Sequence, residues 1–220
     1  MRVLCSTFTG FRIKRLDNKI AVVTGASSGI GRSIVERFAA EGAQVLAFAR
    51  NAENLKALEA SHAGRVIAVS NDVTRQGDLE RLFRVTLEKV GAIDILALNA
   101  GIARVASFED STADAFAAQF LVNFFGAAET ARLFVPHIRK GGSIQFITSF
   151  LTQVGFLGLA VYSASKAALK SLSQTLAAEL APQAFGSIRL RQGRSPRRCG
   201  ARWGLSPKRW VRLPRRSTRA

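Results

Sequence analysis

The chain has 220 residues, 48% hydrophobic and 21% charged, enough to bury a substantial core and neither collagen-like nor disordered in composition. Its net charge of +17 points to nucleic acid until it is divided along the chain. Residues 186–220 hold 12 of the 32 Lys and Arg side chains and no acid; residues 1–15 add Arg2, Arg12, Lys14 and Arg15, and residues 16–185 balance 16 basic against 15 acidic groups. That near-neutral body argues against a nucleic-acid partner. Cys5 and Cys199 are the only cysteines, which excludes a disulfide framework and a cysteine-rich zinc site. No apolar run reaches the ~18–20 residues that span a membrane, and the first residues lack a secretory segment, so a cytoplasmic location is expected.

In chain order, Ile20–Thr24 is a short apolar strand that runs into the glycine loop Gly25-Ala26-Ser27-Ser28-Gly29-Ile30-Gly31. A helix follows, with Ile30, Ile34, Val35 and Phe38 at helical spacing and a stop at Gly42. Residues 45–48 predict a second strand, 53–60 a helix, and 65–69 a third strand. Residues 78–90 are amphipathic through Leu79, Leu82, Phe83, Val85 and Leu87, and end at Gly91. Ile93–Leu98 is a fourth strand, 112–139 a long helical stretch, 142–148 a fifth strand, and 161–180 a last long helix. Residues 186–190 begin like a sixth strand.

Alternating strands and helices, with strands apolar throughout, predict an α/β fold: a single domain with a doubly wound parallel sheet, truncated after about the sixth strand. Its bounds are 16–190, preceded by a basic extension at 1–15. The arginine-rich tail at 191–220 shows neither period and reads as disordered.

A strand leading through glycines into a helix builds a phosphate site, because the first-turn amides are unpaired and glycine lets the backbone approach a pyrophosphate. By itself the loop fits a structural turn equally well. Further motifs follow in order: Asn71-Asp72-Val73 after the third strand, Asn99-Ala100-Gly101 after the fourth, Asn123 in the long helix, Ser149 beyond the fifth strand, and Tyr162 with Lys166 four residues on. With this set the chain resembles the short-chain dehydrogenase/reductase family from about residue 16 to 190.

The resemblance implies a Rossmann-like, NAD(P)-dependent oxidoreductase. Gly25, Ser27, Ser28, Gly29, Ile30 and Gly31 would then hold the pyrophosphate, Asp72 and Val73 the adenine, and Asn99, Ala100 and Gly101 the cofactor beyond it. Tyr162 would be the general acid/base on a small-molecule alcohol or carbonyl. Lys166 would hold the nicotinamide ribose and lower the phenol's pKa, Ser149 would donate to the substrate oxygen, and Asn123 would support a water-linked proton path. Read without the family, Tyr162 and Lys166 form a surface pair, Ser149 a strand-end turn and Asn123 a satisfied buried amide.

Arg50 ends the second strand where an acid would bind a ribose 2′-hydroxyl, so NADP is the expected cofactor, with NAD possible. A solvated loop arginine is the plainer reading. Phe150, Leu151, Thr152, Val154, Phe156 and Leu157 lie where the family lines its pocket and favour an apolar substrate, although core packing explains them equally well. His62 and His137 lie on separate segments, so no metal is expected.

The pattern fails after Leu190. Residues 193–198, Gly-Arg-Ser-Pro-Arg-Arg, can be encoded GGC CGT AGC CCC CGG CGN. One nucleotide forward, that run reads Ala-Val-Ala-Pro-Gly, the kind of sequence the family places there. A shifted frame is therefore the favoured account of the tail, ahead of a basic nucleic-acid-binding arm. On this account a catalytically impaired dinucleotide-binding remnant is the alternative to an active enzyme. The homo-oligomer usual for the family would retain its long-helix contact and lose the one built on the last helix and strand.

Overall fold

The computed structural model describes residues 14–62 and 64–181, together with the backbone of two strands at 187–193 and 210–211. Six strands build the main sheet: β1 (Ile20–Thr24), β2 (Gln44–Ala49), β3 (Val66–Ser70), β4 (Ile93–Leu98), β5 (Ile138–Ser149) and β7 (Ser187–Gly193). All pair in parallel in the order β3-β2-β1-β4-β5-β7. The order reverses between β1 and β4, and such a switch point opens a crevice beyond the carboxyl ends of the strands.

Helices cover both faces. On one side α1 (Gly29–Ala40) and α2 (Ala52–Ser61) pack Ile34, Val35, Leu55 and Leu58 against Ala21, Val23, Val45 and Ala47. On the other, α3 (Gln76–Val90), α5 (Gly126–Phe134) and α6 (Ala160–Leu180) meet Val22, Leu46, Phe48, Leu96, Leu98 and Phe146, with Leu82, Phe134 and Leu169 buried between them. Alternate residues of β1, β2 and β4 therefore serve different layers, and with both faces covered these strands read as largely apolar runs. Each fully buried large side chain contributes about 1.5–3 kcal/mol.

Helix starts follow local chemistry. Asn51 caps α2 by accepting from the Asn54 amide at 2.8 Å, and Thr112 caps α4 (Ala113–Phe120) by accepting from Ala115 at 3.2 Å. Gly91, with φ of 71°, accepts the left-handed turn that ends α3.

Several boundaries differ from the sequence reading. The stretch expected to be helical over 112–139 holds α4, a π turn at Leu121–Phe125, α5 and a 3-10 turn at Val135–His137; Ile138 and Arg139 already belong to β5. Pro136 has no amide hydrogen to continue the helix. Arg65, expected in the third strand, instead closes the turn before it by donating its amide to His62. Ser149 is the last residue of β5 rather than a residue beyond it. The sixth strand passes the expected limit at Leu190 and reaches Gly193, fully paired with Ser143 to Ser149 of β5. A short strand, β8 (Trp210–Val211), also lies in the tail and pairs antiparallel with β6 (Gly155–Phe156). The rest of the expected tail, the shifted-frame run after Gly193, and the amino-terminal extension before Lys14 lie outside the described residues. Among the described residues, no helix is long and apolar enough to cross a membrane.

Candidate active site

The crevice begins at the glycine loop. Gly25 and Gly29 have φ of 66° and 55°, a region that L side chains avoid. A Cβ at Gly31 would lie 2.1 Å from the Gly25 carbonyl oxygen and 2.5 Å from Asn99 Nδ2, so no side chain fits there. Asn99 Nδ2 donates to the carbonyls of Thr24 and Gly25 at 3.1 and 3.2 Å. The Thr24 hydroxyl oxygen accepts from the amides of both Asn99 and Ala100 at 3.1 Å. The ends of β1 and β4 are thus tied together beneath the loop. Ser28 gives α1 no side-chain cap, and its first turn holds no acid. First-turn amides at an uncapped helix start, approached by a glycine backbone, fit a pyrophosphate. Ser28 and Ile30 stand exposed at this start, Ile30 to 53%.

Beside the loop, Arg50 follows β2 and Asp72 follows β3. Arg50 Nη1 lies 3.8 Å from Asp72 Oδ2, while Asp72 Oδ1 accepts from the amide and hydroxyl of Thr74, both at 3.0 Å. The stretch around Arg50, Phe48-Ala49-Arg50-Asn51, holds no acid of its own; Asp72 comes to it from the loop after β3. The Val73 side chain packs in the core, and a Cβ on Gly126 would come within 3.0 Å of it. Asn71 Nδ2 is buried with no hydrogen-bond partner among the described residues. An orphaned donor next to Asp72 suits a site that receives a polar ligand.

The remaining candidates converge near the other strand ends. Lys166 is 4% exposed and its Nζ donates to the Ile147 carbonyl at 2.9 Å. Burial pulls its pKa down to about 8, since a charged ammonium is disfavoured away from water. Tyr162 is half-buried one turn earlier on α6. A Cβ at Gly101 would lie 3.2 Å from both Lys166 Nζ and Asn123 Oδ1, so the missing side chain keeps this corner open. Asn123 sits fully buried in the π turn, a helix irregularity common at functional positions. Its Oδ1 accepts from the Ile102 amide at 2.7 Å, and its Nδ2 donates to the Ile102 carbonyl and to Ser165 Oγ, both at 2.9 Å. Ser149 Oγ accepts from the Leu151 amide at 3.2 Å and starts the 3-10 turn Phe150–Thr152. That bond uses the oxygen, and a hydroxyl keeps its hydrogen to donate elsewhere.

The sequence reading missed two contributors. The Thr24 hydroxyl and the buried Ser165 are ordinary residue types whose partners lie 75 and 42 residues away. Around the mouth, the Ala106 amide donates to Gly158 at 3.0 Å and joins the loops after β4 and β5. Val105, Phe108 and Leu157 are exposed on these loops, to 40%, 70% and 55%. Among the described residues, no three His, Cys, Asp or Glu side chains cluster to hold a metal. His137 stacks edge-on against Phe83, with ring centroids 4.8 Å apart.

Comparison with known proteins identifies the family. A short chain dehydrogenase profile matches residues 19–190. An uncharacterized oxidoreductase of Methylorubrum extorquens is 37% identical over 175 residues, covering 78% of this chain and 71% of that protein. The L-fucose dehydrogenase of Mus musculus is 35% identical, covering 75% of this chain and 61% of its own. Among solved structures, a short chain dehydrogenase from Burkholderia cenocepacia in complex with NADP is 35% identical, with a TM-score of 0.77, covering 81% of this chain and 74% of that one. A dehydrogenase/reductase from Sinorhizobium meliloti gives a TM-score of 0.78 at 35% identity, covering 82% and 73%. With its sheet order, glycine loop and matched length, the chain belongs to the short chain dehydrogenases, a family of NAD(P)-dependent oxidoreductases.

Proposed function

We propose that the chain is an NADP(H)-preferring oxidoreductase that interconverts an apolar alcohol and its carbonyl, with Tyr162 exchanging the proton. The observation that carries this reading is Lys166, a buried ammonium held by a neutral carbonyl and set one helical turn after the phenol. A bound nicotinamide would supply or accept the hydride. The protein's own residues manage orientation and the proton. Lys166 stabilises the phenolate form of Tyr162 and brings proton exchange toward neutral pH. Ser149 donates its hydroxyl hydrogen to the substrate oxygen, where negative charge develops. Asn123 fixes the loop at Ile102 and thereby the floor beside Gly101.

The preference for NADP(H) rests on Arg50, whose guanidinium can bond a 2′-phosphate in two places. The NADP complex of the Burkholderia relative supports it. Because Asp72 also attracts Arg50 at 3.8 Å, the preference is moderate and NADH is tolerated. The exposed rim of Val105 and Leu157 supports an apolar substrate. The same reading places the enzyme in the cytoplasm and pairs copies through the α4–α5 face, where Leu121 and Phe125 are exposed.

Titration of the full chain with NADPH and NADH, followed by a panel of apolar ketones and aldehydes read through nicotinamide absorbance, tests the proposal. Tighter NADPH binding with turnover of at least one carbonyl is the expected result. Cofactor binding without turnover would instead identify an inactive dinucleotide-binding remnant.

A further inference from the structure

Helix α6 carries a fully buried hydroxyl that the proposed reaction does not use. Ser165 Oγ donates to the Tyr162 carbonyl at 2.8 Å and accepts from Asn123 Nδ2 at 2.9 Å. The same Asn123 amide grips Ile102 by both its carbonyl and its amide, at 2.9 and 2.7 Å. Both Nδ2 hydrogens and the single Ser165 hydrogen are therefore engaged. An unbroken chain of bonds runs from the backbone of Tyr162, through Ser165 and Asn123, to the loop that leaves β4. The next residue, Lys166, is anchored separately on Ile147. Two turns on, Ser173 makes the contrast: it is also buried and donates three residues back, to Lys170, at 2.6 Å. Among the described residues it bridges to no second element.

We propose that Ser165 is a positioning residue, whose hydroxyl holds the turn bearing Tyr162 and Lys166 in register with Asn123 and the loop at Ile102. Its link to turnover rests on Tyr162 being the proton-exchanging group; the link to Ile102 does not. Replacing Ser165 by Ala strips Asn123 Nδ2 of one acceptor in a site closed to water, which leaves a buried N–H unmade. Asn123 then gains alternative orientations, and its hold on the Ile102 amide loosens. The phenol loses the fixed distance from the reacting atoms on which proton transfer depends.

The test compares Ser165→Ala with Ser173→Ala in the full chain. Amide hydrogen exchange is followed at Ile102, and kcat and KM are measured at saturating NADPH. In Ser165→Ala, exchange at Ile102 speeds up about tenfold, the amount expected for loss of one buried hydrogen bond. Its kcat falls by about tenfold while KM for the carbonyl changes little, the signature of a lost transition-state arrangement. Ser173→Ala leaves both quantities within about twofold. Equal exchange at Ile102 in the two variants overturns the proposal, whether or not the chain turns over. Faster exchange with unchanged kcat in an active chain overturns it too. In a chain without any turnover the failed reading is that of Tyr162, and the exchange contrast still decides the role of Ser165.

Discussion

Two buried charges sit at opposite ends of the central strands, and the fold treats them differently. At the amino ends, Asp94, the second residue of β4, meets Lys19 Nζ at 3.1 Å, the Ile20 amide at 2.9 Å and Arg139 Nη1 at 2.9 Å. Burial pushes its carboxyl upward, but the Ile20 amide and the two cations outweigh burial and hold it below the ordinary carboxylate range. At the carboxyl ends, Lys166 has a carbonyl for company and, among the described residues, no carboxylate pairs with it. Burial alone pulls it to about 8. The compensated charge staples β1, β4 and β5 together. The uncompensated one is kept at a cost in stability, a pattern typical of functional sites and the one expected if Lys166 serves the proposed reaction.

The largest effect expected is at the end that holds Lys166 and Tyr162. Tyr162→Phe lowers turnover by about a thousandfold or more and leaves the NADPH dissociation constant nearly unchanged; steady-state rates beside a binding titration check this. Retained activity would reduce Lys166 to a buried curiosity and remove one side of the contrast.

Next comes the structural end. Asp94→Ala strands two cations and one strand amide, and lowers the unfolding free energy by about 2 to 3 kcal/mol, somewhat less than a fully buried pair because both cations are half exposed. Urea unfolding measures it. Because the folded pKa of Asp94 is lowered, its contribution is complete above the unfolded value of about 4 and is lost as pH falls through the lower folded value. Asp94→Asn therefore flattens the acid limb of the stability profile.

Lys166→Met gives a smaller change of opposite sign. With the folded pKa near 8 and the ordinary value at 10.5, the unfolded chain binds more protons between those values, so wild-type stability rises with pH across that window. Removing the ammonium stabilises the fold at pH 7 by about 1 to 2 kcal/mol, after loss of the bond to Ile147. This gain shrinks as pH climbs above 8. A variant less stable than its parent at pH 7 would show that Lys166 is compensated after all.

The smallest effect is at the exposed edge of the cofactor crevice, where Arg50→Ala narrows the NADPH-over-NADH preference by about tenfold or less. Paired binding titrations with the two cofactors give the ratio.

What could be read from the sequence follows the range of the interactions. β1 and β4 match their expected bounds to the residue, Ile20–Thr24 and Ile93–Leu98, because a strand buried on both faces leaves a largely apolar run, interrupted in β4 by Asp94. Several spaced motifs together single out Tyr162 and Lys166 in the sequence, and the structure sets the two one turn apart on α6. The π turn was not, since Leu121-Val122-Asn123-Phe124-Phe125 has the composition of any buried helix. The first residues of β5, Ile138 and Arg139, read as the end of the preceding helix because the run into Lys140 has too few apolar positions to show a period of two. The pairing of Arg50 with Asp72 and the bridge from Asn123 to Ser165 depend on which strands and helices become neighbours, which local patterns do not record.

The π turn has a practical consequence for anyone trimming or recombining this gene product. Each helical residue rotates the chain by about 100°, so deleting one residue within Leu121–Phe125 would yield a tidier helix on paper. The five residues of this wider turn carry the chain around the axis about as far as four residues of α-helix, so the deletion would leave Thr130, Ala131 and Phe134 buried and Gly126 against Val73. What it would remove is the bulge that holds Asn123 against the loop at Ile102. The irregular turn works as a local insertion whose effect stays within one turn, so a shortened chain should keep its fold and lose the hold on Ile102.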